Sequence, residues 1–166
     1  MKNNIILIGM PGVGKSTIGV ILAKELGYHF LDSDILIQER ENRRLYEIQE
    51  QDGIEGFLAI EESVNASIRT DRTVIATGGS VVYGAKAMEH FQEIGRIVYL
   101  RLTHDELLKR LGDLHNRGVV LRKGQTFEDI YRERTVLYEK YADLIIDEEG
   151  KTLEQTLSAV AEALGE

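Results

Sequence analysis

Short apolar runs alternate with longer amphipathic stretches along the 166-residue chain. The runs are rich in Ile and Val and have the length of buried parallel strands, whereas the longer stretches carry apolar residues at helical spacing. We predict strands at residues 4–8, 29–31, 73–77, 96–100 and 144–146. The predicted helices span residues 15–26, 53–68, 84–91, 105–111, 127–141 and 153–164. This alternation indicates an α/β fold of three layers, with helices on both faces of a five-stranded parallel sheet.

The length of the chain favours a single domain over residues 1–166, because domains of this size commonly fold as one unit. The sequence contains no internal repeat, low-complexity tract or linker. Residues 112–126 carry three glycines and little apolar periodicity, a pattern typical of a mobile connection. Its place between two predicted helices suggests a lid over a binding site.

Composition narrows the possible partners. A net charge of −8 and a pI near 5.1 oppose non-specific binding to nucleic acid and to anionic membranes. The absence of cysteine excludes disulfides, thiolate metal ligands and cysteine nucleophiles. No stretch approaches the apolar length of a membrane helix, and the first residues lack the layout of a signal peptide. We therefore expect a soluble, cytoplasmic, monomeric protein without a nucleic-acid or membrane partner.

A phosphate-binding loop follows the first predicted strand. Gly9, Gly14, Lys15 and Ser16 satisfy the pattern Gly-x4-Gly-Lys-Ser/Thr between a strand and a helix, where its mechanism requires it. Glycines let backbone N–H groups point at phosphate oxygens, Lys15 is placed to neutralise the β- and γ-phosphates, and Ser16 to bind Mg²⁺. The residues expected to contact ATP are Gly12, Val13, Gly14, Lys15, Ser16 and Thr17. The alternative is a glycine-rich turn that binds nothing.

Two carboxylates follow the second strand in the segment Phe-Leu-Asp-Ser-Asp. Asp32 and Asp34 should face the phosphate loop, because the carboxyl ends of parallel strands form the edge where open α/β sheets bind ligands. We predict that Asp32 supports the metal and that Asp34 accepts the proton of an attacking hydroxyl. The alternative is that Ser33 or Asp34 only caps the next helix.

Glycines and arginines supply further candidates. Gly78 and Gly79 follow the third strand at the same edge of the sheet, where they form either a substrate-contacting turn or an ordinary tight turn. Arginines cluster in and beside the predicted lid, at positions 110, 117, 122 and 134. A guanidinium grips a phosphate or carboxylate through two hydrogen bonds, although most arginines are surface charges. Arg117 and Arg134 are the stronger candidates.

The segments GMPGVGKST, FLDSD, ATGG and RERTVLYEKYAD together resemble the shikimate kinase family over nearly the whole chain. The resemblance implies a single-domain fold like that of nucleoside monophosphate kinases, with a closing lid. It also implies transfer of the γ-phosphate of ATP to the 3-hydroxyl of shikimate, with Mg²⁺. By this resemblance Lys15 and Ser16 serve ATP and Mg²⁺, Asp32 the metal, and Asp34, Gly78, Gly79 and Arg134 the substrate. Arg110 would lie against adenine, and Arg117 would act at the phosphates.

The chain departs from the family pattern at four places, one of which is the segment Asn42-Arg43-Arg44-Leu45 in place of the usual Gly-x-Ser-Ile. Leu58 stands where the family usually has an arginine, Ser80 where it has a third glycine, and Gly118 where it has a proline in the lid. The missing arginine would remove one anchor for a substrate carboxylate. Arg43 or Arg44 is a candidate replacement, since two adjacent arginines appear where the family has none. The other explanation is an acceptor that lacks a carboxylate or presents it elsewhere.

The leading hypothesis is an ATP- and Mg²⁺-dependent kinase for a small polyol or hydroxy acid, with shikimate as the first candidate. A second hypothesis is a nucleotide-binding regulatory or partner-binding protein that has lost its acceptor, for which Leu58 and Ser80 argue. The Asp32 and Asp34 pair argues against it. A GTPase-type switch is disfavoured, because the sequence contains no Asn-Lys-x-Asp segment.

Overall fold

The computed structural model describes residues 2–112 and 119–166. Its five strands are β1 (Asn4–Ile8), β2 (His29–Asp32), β3 (Thr73–Ala76), β4 (Gly95–Arg101) and β5 (Leu144–Asp147). They form one parallel sheet in the order β2-β3-β1-β4-β5. All five strand predictions are confirmed, with ends that differ by one residue at most.

Helices connect the strands. They are α1 (Lys15–Leu26), α2 (Ser33–Glu41), α3 (Leu45–Ala66), α4 (Ala85–Ile94), α5 (His104–Leu111), α6 (Phe127–Tyr141) and α7 (Leu153–Leu164), with a 3₁₀ turn at Val81–Tyr83. Every residue of β1 and β3 is buried, which requires cover on both faces of the sheet. α1 packs on β2, β3 and α7, while α4 packs on β4 and α3. The predicted α/β fold of three layers is therefore confirmed.

The helix predictions were wrong in two places. α2 was omitted, because only Ser33 and Ile37 of its nine residues are buried and the segment shows little apolar periodicity. α3 was predicted to start at Gly53 but begins at Leu45. Gly53 lies inside α3 with φ 73° and ψ 175°, a kink that glycine adopts at low cost. A glycine taken as a boundary thus marks a bend within a longer helix.

In the described part of the chain, no helix combines the length and the apolar character needed to cross a bilayer.

Candidate active site

The sheet places a crevice at the carboxyl ends of β1 and β3. These strands are neighbours, yet β1 leads through α1 towards β2 at one edge, and β3 leads through α4 to β4 on the other side of β1. Such a reversal of connection opens a ligand-binding crevice in α/β sheets. The phosphate loop follows β1, and Gly78 and Gly79 follow β3, so both candidate segments lie at this crevice.

The backbone of the phosphate loop depends on glycine. Gly9, Gly12 and Gly14 have φ of 149°, 95° and 88°, a region that other residues rarely adopt. A Cβ atom at Gly9 would lie 2.6 Å from the carbonyl oxygen of Leu100. Gly14 is also the N-cap of α1 and supplies no side-chain cap, so the first N–H groups of the helix are left to an anion. The loop therefore has the conformation of a phosphate site.

Lys15 folds back onto this loop. Its Nζ donates hydrogen bonds to the carbonyl oxygens of Gly9 at 2.7 Å and Met10 at 2.9 Å. Burial lowers the pKa of Lys15 to about 8, although the Asp34 carboxylate acts in the opposite direction. A buried ammonium that donates to two carbonyl oxygens is prepared to exchange those partners for phosphate oxygens.

Ser16 and Asp32 form an oxygen pair beside Lys15. The Ser16 hydroxyl donates to Oδ2 of Asp32 at 2.8 Å. The other carboxylate oxygen of Asp32 accepts the backbone N–H groups of Asp34 at 2.9 Å and Ile35 at 3.4 Å, which makes Asp32 the N-cap of α2. The capping alternative thus falls on Asp32 rather than on Ser33 or Asp34, and it leaves one oxygen of Asp32 directed at Ser16.

Asp34 occupies the first turn of α2 and faces the turn after β3. Burial raises the pKa of Asp34 to about 6, the Asp32 carboxylate raises it further, and Lys15 lowers it. A Cβ atom at Gly78 would lie 2.8 Å from Oδ1 of Asp34, so a side chain at this position would displace the carboxyl group. Gly78 therefore serves the site by leaving room for Asp34. A carboxyl group with a pKa near neutrality is suited to accepting a proton.

Arg134 projects from α6 and is 1% exposed. Its Nη2 donates to the carbonyl oxygen of Val120 at 2.8 Å, and its Nε to the hydroxyl of Tyr83 at 3.3 Å. A Cβ atom at Gly79 would lie 3.1 Å from Nη1 of Arg134. The absence of a side chain at Gly79 thus lets this guanidinium approach the crevice. A buried cation that donates to the neutral oxygens of Tyr83 and Val120 favours an anionic ligand.

Glu61 and Ser80 were not among the predicted site residues, yet they belong to the site. Ser80 donates from its hydroxyl to Oε1 of Glu61 at 2.7 Å, and Glu61 is 2% exposed. Burial raises the pKa of Glu61 to about 8, against the opposing effect of the Ser80 hydrogen bond, and Asp34 raises it further. The sequence does contain a signal, because Glu61 shares the buried stripe of α3 with Phe57 and Val64. A glutamate at such a position is unusual and marks a buried polar site.

These side chains enclose a first cavity of about 290 Å³. We call one side of it the acceptor wall, which consists of Asp34, Glu61, Gly78, Gly79 and Arg134. Leu45, Phe57, Val119 and Val120 add apolar surface. The phosphate loop forms the opposite side with Pro11, Gly12, Gly14, Lys15, Ser16 and Thr17. The cavity thus joins a phosphate site to a small mixed pocket that contains the buried guanidinium of Arg134.

A second cavity of about 210 Å³ adjoins the loop from the other direction. Gly14 and Thr17 line both cavities, so the second lies beyond the loop as seen from the acceptor wall. Arg110 lines it and donates from Nη1 to the carbonyl oxygen of Gly12 at 3.3 Å. The predicted place of Arg110 against adenine stays a prediction.

The structure describes only part of the predicted lid. Arg117 and Gly118 lie outside the described residues, so their predicted roles stay predictions. Of the remaining lid, Val119 and Val120 line the first cavity. Nε of Arg122 pairs with Glu55 of α3 at 2.9 Å, which ties this end of the lid to the helix that carries Glu61.

The position of the missing family arginine is apolar. Leu58 is partly buried and packs against a hydrophobic cluster that includes Phe57 and Val120. Neither Arg43 nor Arg44 is among the described residues that line the first cavity. Arg43 instead pairs with Glu41 at 2.7 Å and with Asp52 at 2.9 Å. In this structure no second arginine replaces the lost anchor among the described residues of the cavity.

The fold and the site define an α/β kinase of the phosphate-loop class, with a nucleotide loop facing a separate acceptor pocket. A model of the family described as "Shikimate kinase" matches residues 11–165. The chain belongs to the shikimate kinase family.

Individual relatives agree with this assignment. A shikimate kinase from Moorella thermoacetica is 35% identical over 166 residues, which cover 99% of this chain and 95% of the relative. Among solved structures, a shikimate kinase from Acinetobacter baumannii in complex with shikimate has a TM-score of 0.84 and 31% identity, with 99% of this chain and 94% of that chain covered. The shikimate kinase of Aquifex aeolicus has a TM-score of 0.83 and 28% identity, with coverage of 98% and 96%.

Proposed function

We propose that this protein transfers the γ-phosphate of ATP to the 3-hydroxyl of shikimate. The observation that carries the proposal is that Lys15, Asp34 and Arg134 line one cavity at the carboxyl edge of the sheet. Phosphoryl transfer needs a cation at the phosphates, a carboxylate at the attacking hydroxyl and a group that positions the acceptor. Membership of the shikimate kinase family supports the choice of acceptor.

The side chains suggest how the reaction proceeds. The acceptor hydroxyl oxygen forms a bond to the γ-phosphorus as the bond to the β,γ-bridging oxygen breaks, and ADP leaves. Asp34 accepts the hydroxyl proton, for which its ionised form is required. Lys15 exchanges the carbonyl oxygens of Gly9 and Met10 for phosphate oxygens and offsets the charge that shifts towards ADP. Arg117 is proposed to act at the same phosphates on the basis of the sequence.

The oxygen atoms of Ser16 and Asp32 suit Mg²⁺. Their 2.8 Å contact places one hydroxyl and one carboxylate oxygen together at the start of α1, and Mg²⁺ prefers oxygen ligands while keeping several waters and phosphate oxygens. Such a site needs few protein ligands, which agrees with the absence of any larger His, Cys, Asp or Glu cluster among the described residues. Held by Ser16 and Asp32, the ion would offset negative charge on the phosphates.

Arg134 is proposed to bind the carboxylate of the acceptor, since it is a buried guanidinium beside Gly79 in the cavity. Leu58 favours a second candidate function, in which the acceptor is a small hydroxy compound other than shikimate. An apolar side chain at this position weakens the hold on a carboxylate, and the loss of one partner from a desolvated charge pair costs about 2–5 kcal/mol.

We also propose that residues 1–166 form one domain, since all five strands pair in one sheet. The monomeric state and the cytoplasmic location stay predictions from the sequence.

The test is ADP release by purified protein supplied with Mg-ATP, with and without shikimate and with a panel of other small hydroxy acids and polyols. We expect shikimate to stimulate ADP release at submillimolar concentration. Stimulation only by another compound would replace shikimate by that acceptor. No stimulation by any compound would argue against a kinase and for a nucleotide-binding regulatory role.

A further inference from the structure

Glu148 is a buried carboxyl group that the proposed reaction does not use. It follows β5 directly and is 4% exposed. Its Oε2 atom is buried without a hydrogen-bond partner among the described residues. Its Oε1 atom lies 3.8 Å from Nη1 of Arg110, which is too long for a hydrogen bond. A buried carboxyl oxygen without a partner is costly, and such atoms often mark the place of a ligand.

The backbone of Glu148 is fixed on both sides. Its N–H donates to the carbonyl oxygen of Arg101 at 2.9 Å, and its own carbonyl oxygen accepts the N–H of Lys151 at 2.9 Å. These bonds tie the residue to the end of β4 and to the start of the loop before α7. The backbone of Glu148 is therefore fixed at the ligand-binding edge of the sheet.

The second cavity is where this carboxyl group lies. Glu148 lines it together with Arg110, Leu153 and Thr156, and Gly14 and Thr17 connect it to the first cavity. A triphosphate on the loop has two ends. Because its transferable end must face Asp34 in the first cavity, its nucleoside end extends towards the second. The buried carboxyl group thus lies at the nucleoside end of the bound nucleotide.

We propose that Glu148 is a nucleobase-recognition residue whose carboxyl group binds the edge of adenine that carries the 6-amino group. A carboxyl oxygen accepts a hydrogen bond from that amino group, and a protonated carboxyl group also donates to the ring nitrogen N1. Arg110, on the wall of the same cavity, is placed to stack on the base.

The charges around Glu148 are compatible with both the ionised and the protonated form of its carboxyl group. Burial raises the pKa of Glu148 to about 7, while Arg110 and Lys15 lower it. Lys151 also lines the cavity. This inference rests on the proposed function only in requiring a nucleotide on the phosphate loop, and it does not depend on the acceptor.

The test compares two ligands by calorimetry without any acceptor: ADP, and purine riboside 5′-diphosphate, which lacks only the 6-amino group. Wild-type protein should bind ADP about 10- to 100-fold more tightly, as expected for the loss of a hydrogen bond to a charged or polar buried partner. The Glu148→Ala variant should bind both ligands with nearly equal affinity. Glu148→Gln should keep a preference for ADP, because its amide still offers one acceptor and one donor.

Glu149→Ala is the matched control, since it removes an exposed carboxylate from the next position and should keep the wild-type ratio. Equal affinity of wild-type protein for the two ligands would overturn the inference and leave the proposed function standing, and this comparison needs no variant. An equal loss for both ligands in Glu148→Ala would also overturn it, since a purely structural role predicts that result. Failure of wild-type protein to bind ADP at all would remove the inference and the proposed function together.

Discussion

The phosphate loop and the acceptor wall face each other across one cavity but are assembled differently. The loop is a continuous stretch, residues 9–17, whose shape depends on local glycine geometry. The acceptor wall draws Asp34 from α2, Glu61 from α3, two glycines from the turn after β3 and Arg134 from α6. A substitution within the loop therefore disturbs the whole phosphate site. A substitution in the acceptor wall alters one residue and leaves the other elements in place.

Leu58 illustrates this difference. It lies on α3, one turn before Glu61, and alters the acceptor side of the family pattern while the loop motif is complete. Substitutions on the two sides should therefore have separable effects, on nucleotide binding in one case and on acceptor use in the other. Variants of each side test this separation.

Asp34→Asn should have the largest effect and should act on the acceptor side only. The amide cannot accept the hydroxyl proton, so kcat should fall about 10²- to 10⁴-fold. The affinity for ADP should stay nearly unchanged, because Asp34 is proposed to contact the acceptor rather than the nucleotide. Steady-state kinetics and calorimetric titration with ADP measure the two quantities.

Glu39→Gln, an exposed carboxylate on the same helix, is the control and should behave like wild type. In wild-type protein the same reasoning predicts that kcat/KM falls as the pH drops through about 6, the pKa to which burial raises Asp34. Unchanged turnover in Asp34→Asn would remove this carboxylate from the mechanism.

Lys15→Ala changes the loop side and should lower both kcat and the affinity for the nucleotide. Loss of a positioned cation at the transferring phosphate should lower kcat about 10²- to 10³-fold, and the affinity for ATP should fall as well. Lys24→Ala removes an exposed lysine from the last turn of the same helix and serves as the control. If Lys15→Ala weakened acceptor affinity but left nucleotide affinity intact, the assignment of the two sides would be reversed.

More of the loop than of the acceptor wall could be predicted from the sequence, because the loop is one continuous segment and the wall is assembled from separate elements. The loop motif is local, so Lys15 and Ser16 could be assigned from spacing alone. Glu61 was missed because its importance depends on Ser80, nineteen residues away, and on burial that a sequence does not display. Arg134 was a candidate because it follows the predicted lid and because of the family resemblance, and its contacts with Tyr83 and Val120 could not be foreseen.

The fold shows a similar contrast. Buried strands such as β1 and β3 are recognisable in the sequence as apolar runs, and their predicted positions were confirmed. α2 has few buried residues, so it lacked a periodic signal. The start of α3 was hidden by Gly53, whose positive φ bends the helix without ending it.

Leu58→Arg should have a smaller effect, confined to the acceptor side. A guanidinium here would lie one helical turn from Glu61 and could pair with it while restoring the second anchor for a carboxylate. If shikimate is the acceptor, its KM should fall about 10-fold or more with little change in ADP affinity. Initial rates at varied shikimate concentration measure this.

Leu58→Met is the matched control, since it conserves volume and adds no charge. An unchanged KM in Leu58→Arg would speak against a loss of the carboxylate anchor at this position and in favour of a different acceptor.

The smallest expected effect is on the pH dependence of the free energy of unfolding, and it concerns Glu61 of the acceptor wall. Burial raises the pKa of Glu61 from 4.5 to about 8, so the folded protein holds a proton that the unfolded chain has released over this range. The free energy of unfolding should therefore fall as the pH rises, by up to about 1.4 kcal/mol per pH unit. Measurement between pH 6 and 8 avoids most of the titration of Asp34, whose pKa is about 6.

Glu61→Gln should reduce this slope, because an amide does not titrate, while the part due to Glu148, whose pKa burial raises to about 7, should remain. Urea unfolding at several pH values measures the slope. Glu50→Gln, an exposed position on the same helix, should keep the wild-type slope. An unchanged slope in Glu61→Gln would mean that Glu61 is ionised in the folded protein. The acceptor wall would then carry two carboxylates opposite Arg134, a charge balance poorly suited to an acidic acceptor and better suited to a neutral polyol.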